Sequence, residues 1–211
     1  MNFAELVGTV VHDLKNQLQS LLDYEHEALS QIPSQYHVHI FPILQRTLRL
    51  KNDTMKMVSL FRMEQKQNLI SDDAWPLDTA NGAIEVTQIQ FPNLNIENHI
   101  AADSQGFYND NLVMLALVTL ITNSAQAGST KIVLTAQDQD GLMLKIEDNG
   151  HGFPESILKG EKATTKAEGS GLGLHFVRLI AEHHQQGNKK GHIELGNLTQ
   201  NAGAFVCLYL P

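Results

Sequence analysis

Apolar residues recur every three or four positions at the start of the chain: Phe3, Val7, Val10, Leu14, Leu18 and Leu21. That spacing puts them on one stripe and predicts a helix from residue 2 to about residue 30, stopped by Pro33. A second helical pattern runs from about Tyr36 to Asn68 through Ile40, Ile43, Leu44, Leu48, Leu50, Met55, Met57, Val58, Leu60 and Met63. Pro42 belongs in its first turn or two, or at a kink. Two long helices joined by a short turn make an antiparallel hairpin with an apolar stripe on each arm and little to cover it. Pairing with a second copy in a four-helix bundle is the economical solution, so a homodimer through residues 1–68 is expected.

The pattern changes after Ser71–Pro76, a polar stretch punctuated by proline. It divides a hairpin domain, residues 1–70, from a second domain, residues 76–211. Leu77 to about Gln90 reads as a helix with Leu77, Ala80, Ile84 and Ile89 inward, ended by Pro92. Asn95–Ala101 reads as a short strand. Asn109–Ala127 is apolar almost all round and is expected to be a buried helix. Lys131–Gln137 and Leu142–Glu147 read as strands joined by a turn at Asp138–Gly141. A helix from about Gly171 to Gln186 and a closing hairpin, His192–Leu195 with Ala204–Leu210, complete the order. The fold class is α+β: a helical hairpin followed by an α/β sandwich, with helices on one face of a mixed sheet.

Composition narrows the partners. The 211 residues are 42% apolar, enough for a real core, and carry a net charge of −8. That balance argues against nucleic acid or an anionic membrane as main partner, because both demand a basic face. The single cysteine, Cys207, excludes an intrachain disulfide and lies in the apolar run Ala204–Leu210, where a buried inert thiol is expected. No apolar run approaches the length of a membrane span and no signal-peptide pattern opens the chain, so no membrane insertion and a cytoplasmic location are expected.

Two stretches carry chemistry. Lys145–Glu147 is the end of an apolar run that closes on Asp148 and breaks into Asn149, Gly150, His151 and Gly152. A strand stopping at a buried Asp offers a fixed acceptor for an amine. Gly169, Gly171 and Gly173, with Ser170 and Leu172 between them, open a helical segment. Free backbone N–H groups and the positive end of a helix dipole suit phosphate there. Acceptor and cradle together describe a purine nucleotide site. A dinucleotide fingerprint is rejected, because the polar segment Ser156–Glu168, not a strand, precedes the glycines.

Two further residues have both a bland and a functional interpretation. His12 lies off the apolar stripe, next to Asp13 and one turn before Asn16. It is either a solvated surface imidazole or a nucleophile whose Nδ1 proton Asp13 accepts. Asn123, in the buried helix, needs a partner. That partner is either a neighbouring backbone group or a Mg²⁺ ion held through the amide oxygen, with Gln126 one turn on pointing the same way.

Taken as a set, these motifs resemble the catalytic core of the two-component sensor histidine kinases, over nearly the whole chain. His12-Asp13-Leu14-Lys15-Asn16 is similar to the family's H-box, Asn123-Ser124-Ala125-Gln126-Ala127 to the N-box, Asp148-Asn149-Gly150-His151-Gly152 to the G1 box and Gly169-Ser170-Gly171-Leu172-Gly173-Leu174 to the G2 box. Thr164-Thr165-Lys166 resembles the end of the lid in nitrogen-regulation-type members. Gln17 stands where many members have Pro, Thr119 replaces the first Asn of the N-box, and the lid is short and lacks its aromatic before Ala163.

The resemblance implies an ATP site. In it Asp148 accepts from the adenine amine and Asn123 holds Mg²⁺. Gln126, Ala127, Gly150, Gly152, Thr165, Lys166, Gly169, Ser170, Gly171, Leu172 and Gly173 line the nucleotide. It implies that His12 takes the γ-phosphoryl group, assisted by Asp13, and passes it to an Asp of a response-regulator receiver domain. Asn16 matches the position that orients water for dephosphorylating that receiver. A separate sensor protein is an implied partner. The alternative is a histidine phosphotransfer protein with a degenerate nucleotide domain; a third option is a serine kinase or ATP-driven switch sharing the nucleotide fold.

Overall fold

The computed structural model describes residues 3–64, 70–138, 140–159, 172–198 and 203–211. The chain divides into two compact units, Met1–Gln67 and Asn68–Pro211.

The first unit is a helical hairpin of α1 (Phe3–Gln31) and α2 (His37–Glu64), joined through a short 3-10 turn at Ser34–Tyr36. Pro33 opens that turn, and α1 passes without interruption through Gln17, where a proline would have kinked it. Pro42 falls in the second turn of α2. Glu25 faces Thr47 and Gln19 faces Lys51, so the arms run antiparallel.

The hairpin's own interior holds Leu18, Leu22, Leu44, Leu48 and Val58. The α1 stripe is therefore split: Leu18 turns inward, whereas Val10, Leu14 and Leu21 stay exposed. On α2, Ile43, Leu50 and Met57 are 54%, 56% and 72% exposed and recur at every seventh position, the repeat of a helix-bundle seam.

The second unit is an α/β sandwich. Its five-stranded sheet has the order β2 (Asn95–Asn98), β4 (Lys131–Asp138), β5 (Leu142–Asp148), β9 (Ala204–Leu210), β8 (His192–Asn197). The pair β2/β4 is parallel and the others antiparallel, so the sheet is mixed. Leu134, Ile146 and Val206 lie abreast in register, as do Leu144 and Leu208, and all are buried. This inner face carries the helix layer: α4 (Asp110–Gln126) packs between α3 (Pro76–Gln90) and α6 (Leu172–His183). Each Leu or Ile buried there contributes about 1.5–3 kcal/mol of transfer free energy.

Several local expectations change. The buried face of α3 is Thr79, Ala80, Ala83 and Thr87, while Leu77, Ile84 and Ile89 lie at its margins. Small side chains let α3 approach α4 closely, and the larger ones cover the rim. The strand at 95–101 ends at Asn98, because Ile100 N turns back onto the Asn98 side chain. Three short elements carry no readable alternation: β1 (Asp72–Ala74) pairs with β3 (Gly106–Tyr108), and α5 spans Glu155–Leu158. Helix α6 stops at His183, short of Gln186, because Gln185–Gln186 (β6) pairs with Lys189–Lys190 (β7). Among the described residues no helix is long and apolar enough to cross a membrane.

Candidate functional site

Strand alternation decides where Asp148 points. It follows Ile146 by two residues and lies opposite the buried Ile132, so its side chain takes the helix-facing side of β5. There its carboxylate meets α4. Oδ2 accepts from Ser124 Oγ at 2.7 Å, and Oδ1 accepts from Ser129 Oγ at 3.0 Å and from Gly150 N at 2.8 Å. Of the roughly four lone-pair directions of a carboxylate, the described residues use three and leave one, on Oδ2. Asp148 is half-buried rather than buried, because the strand ends at the surface of the sandwich. A rigid acceptor that the described residues leave with one direction to spare suits an exocyclic amine.

The turn after Asp148 is fastened on several sides. Asn149 Oδ1 accepts from Thr130 N and Lys131 N, both at 2.9 Å, and its Nδ2 donates to Thr130 Oγ1. At Gly150 an added Cβ would lie 2.5 Å from Ser129 Oγ and 2.9 Å from Ala127 O, so no larger residue fits between β5 and the end of α4. His151 Nδ1 donates to Ala127 O at 2.5 Å, and its backbone N reaches the same oxygen at 3.3 Å. A carbonyl only accepts, so the Nδ1 atom carries the proton.

Asn123 lies one turn before the end of α4 and is half-buried. The start of α6 passes directly over it: an added Cβ at Gly173 would lie 3.0 Å from Asn123 Nδ2 and 3.3 Å from Oδ1. The amide thus meets the backbone where the glycine run enters the helix. This cradle suits a small hard cation between an amide oxygen and phosphates, with most ligands supplied by water. Thr119, one turn earlier, brings only its methyl group to Gly173. Its hydroxyl donates to Leu115 O at 2.7 Å and is buried. Gln126 is exposed at the last turn of α4, and Ala127 caps the helix.

The far ends of α4 and α6 are locked together by His184. Its Nδ1 donates to Ile180 O at 2.8 Å and its Nε2 accepts from Asn109 N at 3.0 Å. Burial holds its pKa below the usual imidazole range, so the ring is neutral in this latch.

The structure therefore brings Asp148, Gly150, Asn123, Ala127 and Gly173 to one end of the helix layer. Leu172 is the first residue of α6. Thr165, Lys166, Gly169, Ser170 and Gly171 lie outside the described residues, as does the side chain of His12. That residue, with Asp13 and Asn16, lies on α1, where Asp13 and Asn16 are exposed. Ser124 and Ser129 were not singled out from the sequence. A hydroxyl beside Asn123 in a mostly apolar helix was the available signal, since it needs a buried partner. Ser129, in an ordinary turn after Gly128, gave none.

Comparison with known proteins adds the following. Residues 109–211 match the family model described as histidine kinase-, DNA gyrase B-, and HSP90-like ATPase. The chain is 24% identical over 213 residues to the tetrathionate sensor histidine kinase TtrS of Salmonella typhimurium, covering 94% of this chain and 35% of that protein. It is 24% identical to the signal transduction histidine-protein kinase AtoS of Escherichia coli, covering 98% of this chain and 34% of that one. It thus spans about a third of the length of these relatives. In fold it is similar to the Acinetobacter baumannii histidine kinase AdeS, with a TM-score of 0.60 and 17% identity, over 94% of this chain and 96% of that one. It is also similar to the catalytic domain of histidine kinase ThkA, with a TM-score of 0.57 and 20% identity, over 67% of this chain and 95% of that one.

Proposed function

Because this chain carries a histidine kinase catalytic core, we propose that it is an ATP-dependent protein-histidine kinase that phosphorylates His12 and passes the phosphoryl group to an Asp of a response-regulator receiver domain. The observation that carries the proposal is the Asp148 carboxylate. It is held by Ser124, Ser129 and Gly150 N, with one acceptor direction left by the described residues, beside an Asn123 amide that faces the backbone of Gly173.

In this proposal residues 76–211 bind ATP and residues 1–70 supply the phosphoacceptor and the dimer. Asp148 accepts from the adenine amine, and the backbone around Gly150 and Gly152 lines the purine end. Asn123 holds Mg²⁺, whose charge offsets that of the phosphates when bound. Gln126, Ala127, Thr165, Lys166, Gly169, Ser170, Gly171, Leu172 and Gly173 surround the triphosphate, where backbone N–H groups and one lysine balance its charge. His12 Nε2 forms a bond to the γ-phosphorus as the bond to the bridging oxygen breaks, and ADP leaves. Asp13 accepts the Nδ1 proton's hydrogen bond and stabilises the charged ring. Most of the rate comes from positioning and charge neutralisation. Asn16, one turn from His12, orients water for dephosphorylating the receiver.

A homodimer through residues 1–68 is supported by the exposed seam of Ile43, Leu50 and Met57 on α2 and of Leu14 and Leu21 on α1. A cytoplasmic location and a separate sensor protein complete the proposal. Calorimetric titration with ATP and Mg²⁺ tests it: the unaltered chain binds, and Asp148→Ala loses binding while the hairpin dimer persists. Equal affinity in the two proteins would refute the proposed site.

A further inference from the structure

We propose that Asn197, the last residue of β8, is a positioning residue for the nucleotide site. It fixes the Gly152–Phe153 exit of the loop that Asp148 opens. The inference rests on the nucleotide proposal above.

Asn197 Oδ1 accepts from Phe153 N at 2.6 Å, and its Nδ2 donates to Phe153 O at 2.9 Å. One side-chain amide thereby satisfies both backbone groups of Phe153, as a neighbouring strand would. Only a primary amide presents a donor and an acceptor side by side in this way. Gly152 is shaped to the contact. Its φ is +76°, and an added Cβ would lie 2.8 Å from Asn197 Oδ1 and 3.2 Å from Gly203 O.

Gly203 lies against the entrance of the same loop, since a Cβ there would come within 2.1 Å of Asp148 O. The segment Asp148–Phe153 is therefore gripped from two sides. Ser124, Ala127 and Ser129 hold it from the α4 end, and Asn197 holds it from β8, with Gly203 packed close against Asp148 O just before β9. Without Asn197 the exit at Phe153 loses both of these hydrogen bonds, while the entrance keeps its bonds to Ser124, Ser129 and β4. The backbone of Gly150 to Gly152 then has more conformations to lose when nucleotide binds, which weakens binding without touching the ligand.

Asn197 is exposed, so water replaces its bonds when it is removed and the fold survives. The test is calorimetric titration of the full chain with ATP and Mg²⁺, alongside thermal unfolding. Asn197→Ala is expected to weaken ATP binding roughly tenfold, a change on the scale of two net hydrogen bonds. Its melting temperature stays near that of the unaltered chain. In turnover the loss falls on KM for ATP, with kcat changed less than about twofold. Asn197→Asp, nearly the same shape, is expected to lose as much, because a carboxylate has no donor and repels Phe153 O.

The control is Tyr209→Phe, which removes the Tyr209–Glu194 bond elsewhere on the β8–β9 pair and is expected to leave ATP affinity unchanged. Undiminished ATP affinity in either Asn197 variant overturns the inference, whatever happens to stability. Failure of the unaltered chain to bind ATP overturns the nucleotide proposal and this inference with it.

Discussion

The Ser124 hydroxyl donates to Asp148 Oδ2 at 2.7 Å, tying the last turn of α4 to the end of β5. Neither residue is fixed by the other alone: Ser124 is buried by the helix layer and Asp148 by its place in the sheet register. The bond converts two independent placements into one oriented acceptor.

Ser124→Ala is therefore expected to weaken ATP binding about fivefold while costing about 1 kcal/mol of stability, because the carboxylate loses one orienting donor but keeps two. Combining Ser124→Ala with Ser129→Ala is expected to exceed the sum of the single effects, since each serine compensates for loss of the other. Calorimetry with denaturant unfolding measures both quantities.

His184 makes a prediction about pH. Burial lowers its folded-state pKa, so between that value and the unfolded value of about 6.5 the unfolded chain binds more protons. Its contribution to stability is complete above pH 6.5 and is lost as pH falls through that value toward the folded pKa. The slope is at most about 1.4 kcal/mol per pH unit. His184→Gln, which keeps an acceptor for Asn109 N, removes this term. The stability advantage of the unaltered chain over His184→Gln is expected to shrink on acidification, as urea unfolding at stepped pH would report. A constant difference across that range would contradict the latch.

Leu50 lies in the middle of the exposed seam on α2. Leu50→Glu puts a charge at the centre of the proposed dimer interface and is expected to raise the dimer dissociation constant at least about a hundredfold, or about 2.7 kcal/mol. Sedimentation equilibrium reads this directly. Met57→Glu, nearer the end of the seam, is expected to have a smaller effect.

Asn16 is expected to separate two activities. Asn16→Ala leaves phosphorylation of His12 within about threefold but lowers receiver dephosphorylation by about a hundredfold or more, because only the second reaction needs an oriented water. Equal loss of both would contradict the role given to Asn16.

How much of this was legible in the sequence varies with the element. Helix α4 and the β4/β5 hairpin were clear, because long apolar runs at helix and strand periods leave little choice. The pairs β1/β3 and β6/β7 were not, since two or three residues carry no period and form only where tertiary contact places them. The buried face of α3 was legible only in part: Ala80 was expected inward and is buried, but counting large apolar residues adds Leu77 and Ile84, whereas close packing against α4 adds Thr79, Ala83 and Thr87. Among candidate site residues, Asp148 and Asn123 stood out because each interrupts an apolar run. Ser129 and Asn197 did not, because serine and asparagine in turns are ordinary until the register shows what they face.

Everything proposed for this chain turns on transfer of the ATP γ-phosphoryl group to His12. Incubating the chain with γ-labelled ATP and Mg²⁺, then exposing the labelled protein to acid and to base, tests it most directly. The expected label is lost in acid, survives base, and is absent from both His12→Gln and Asp148→Ala. Acid-stable label, or label of equal amount in His12→Gln, would contradict it.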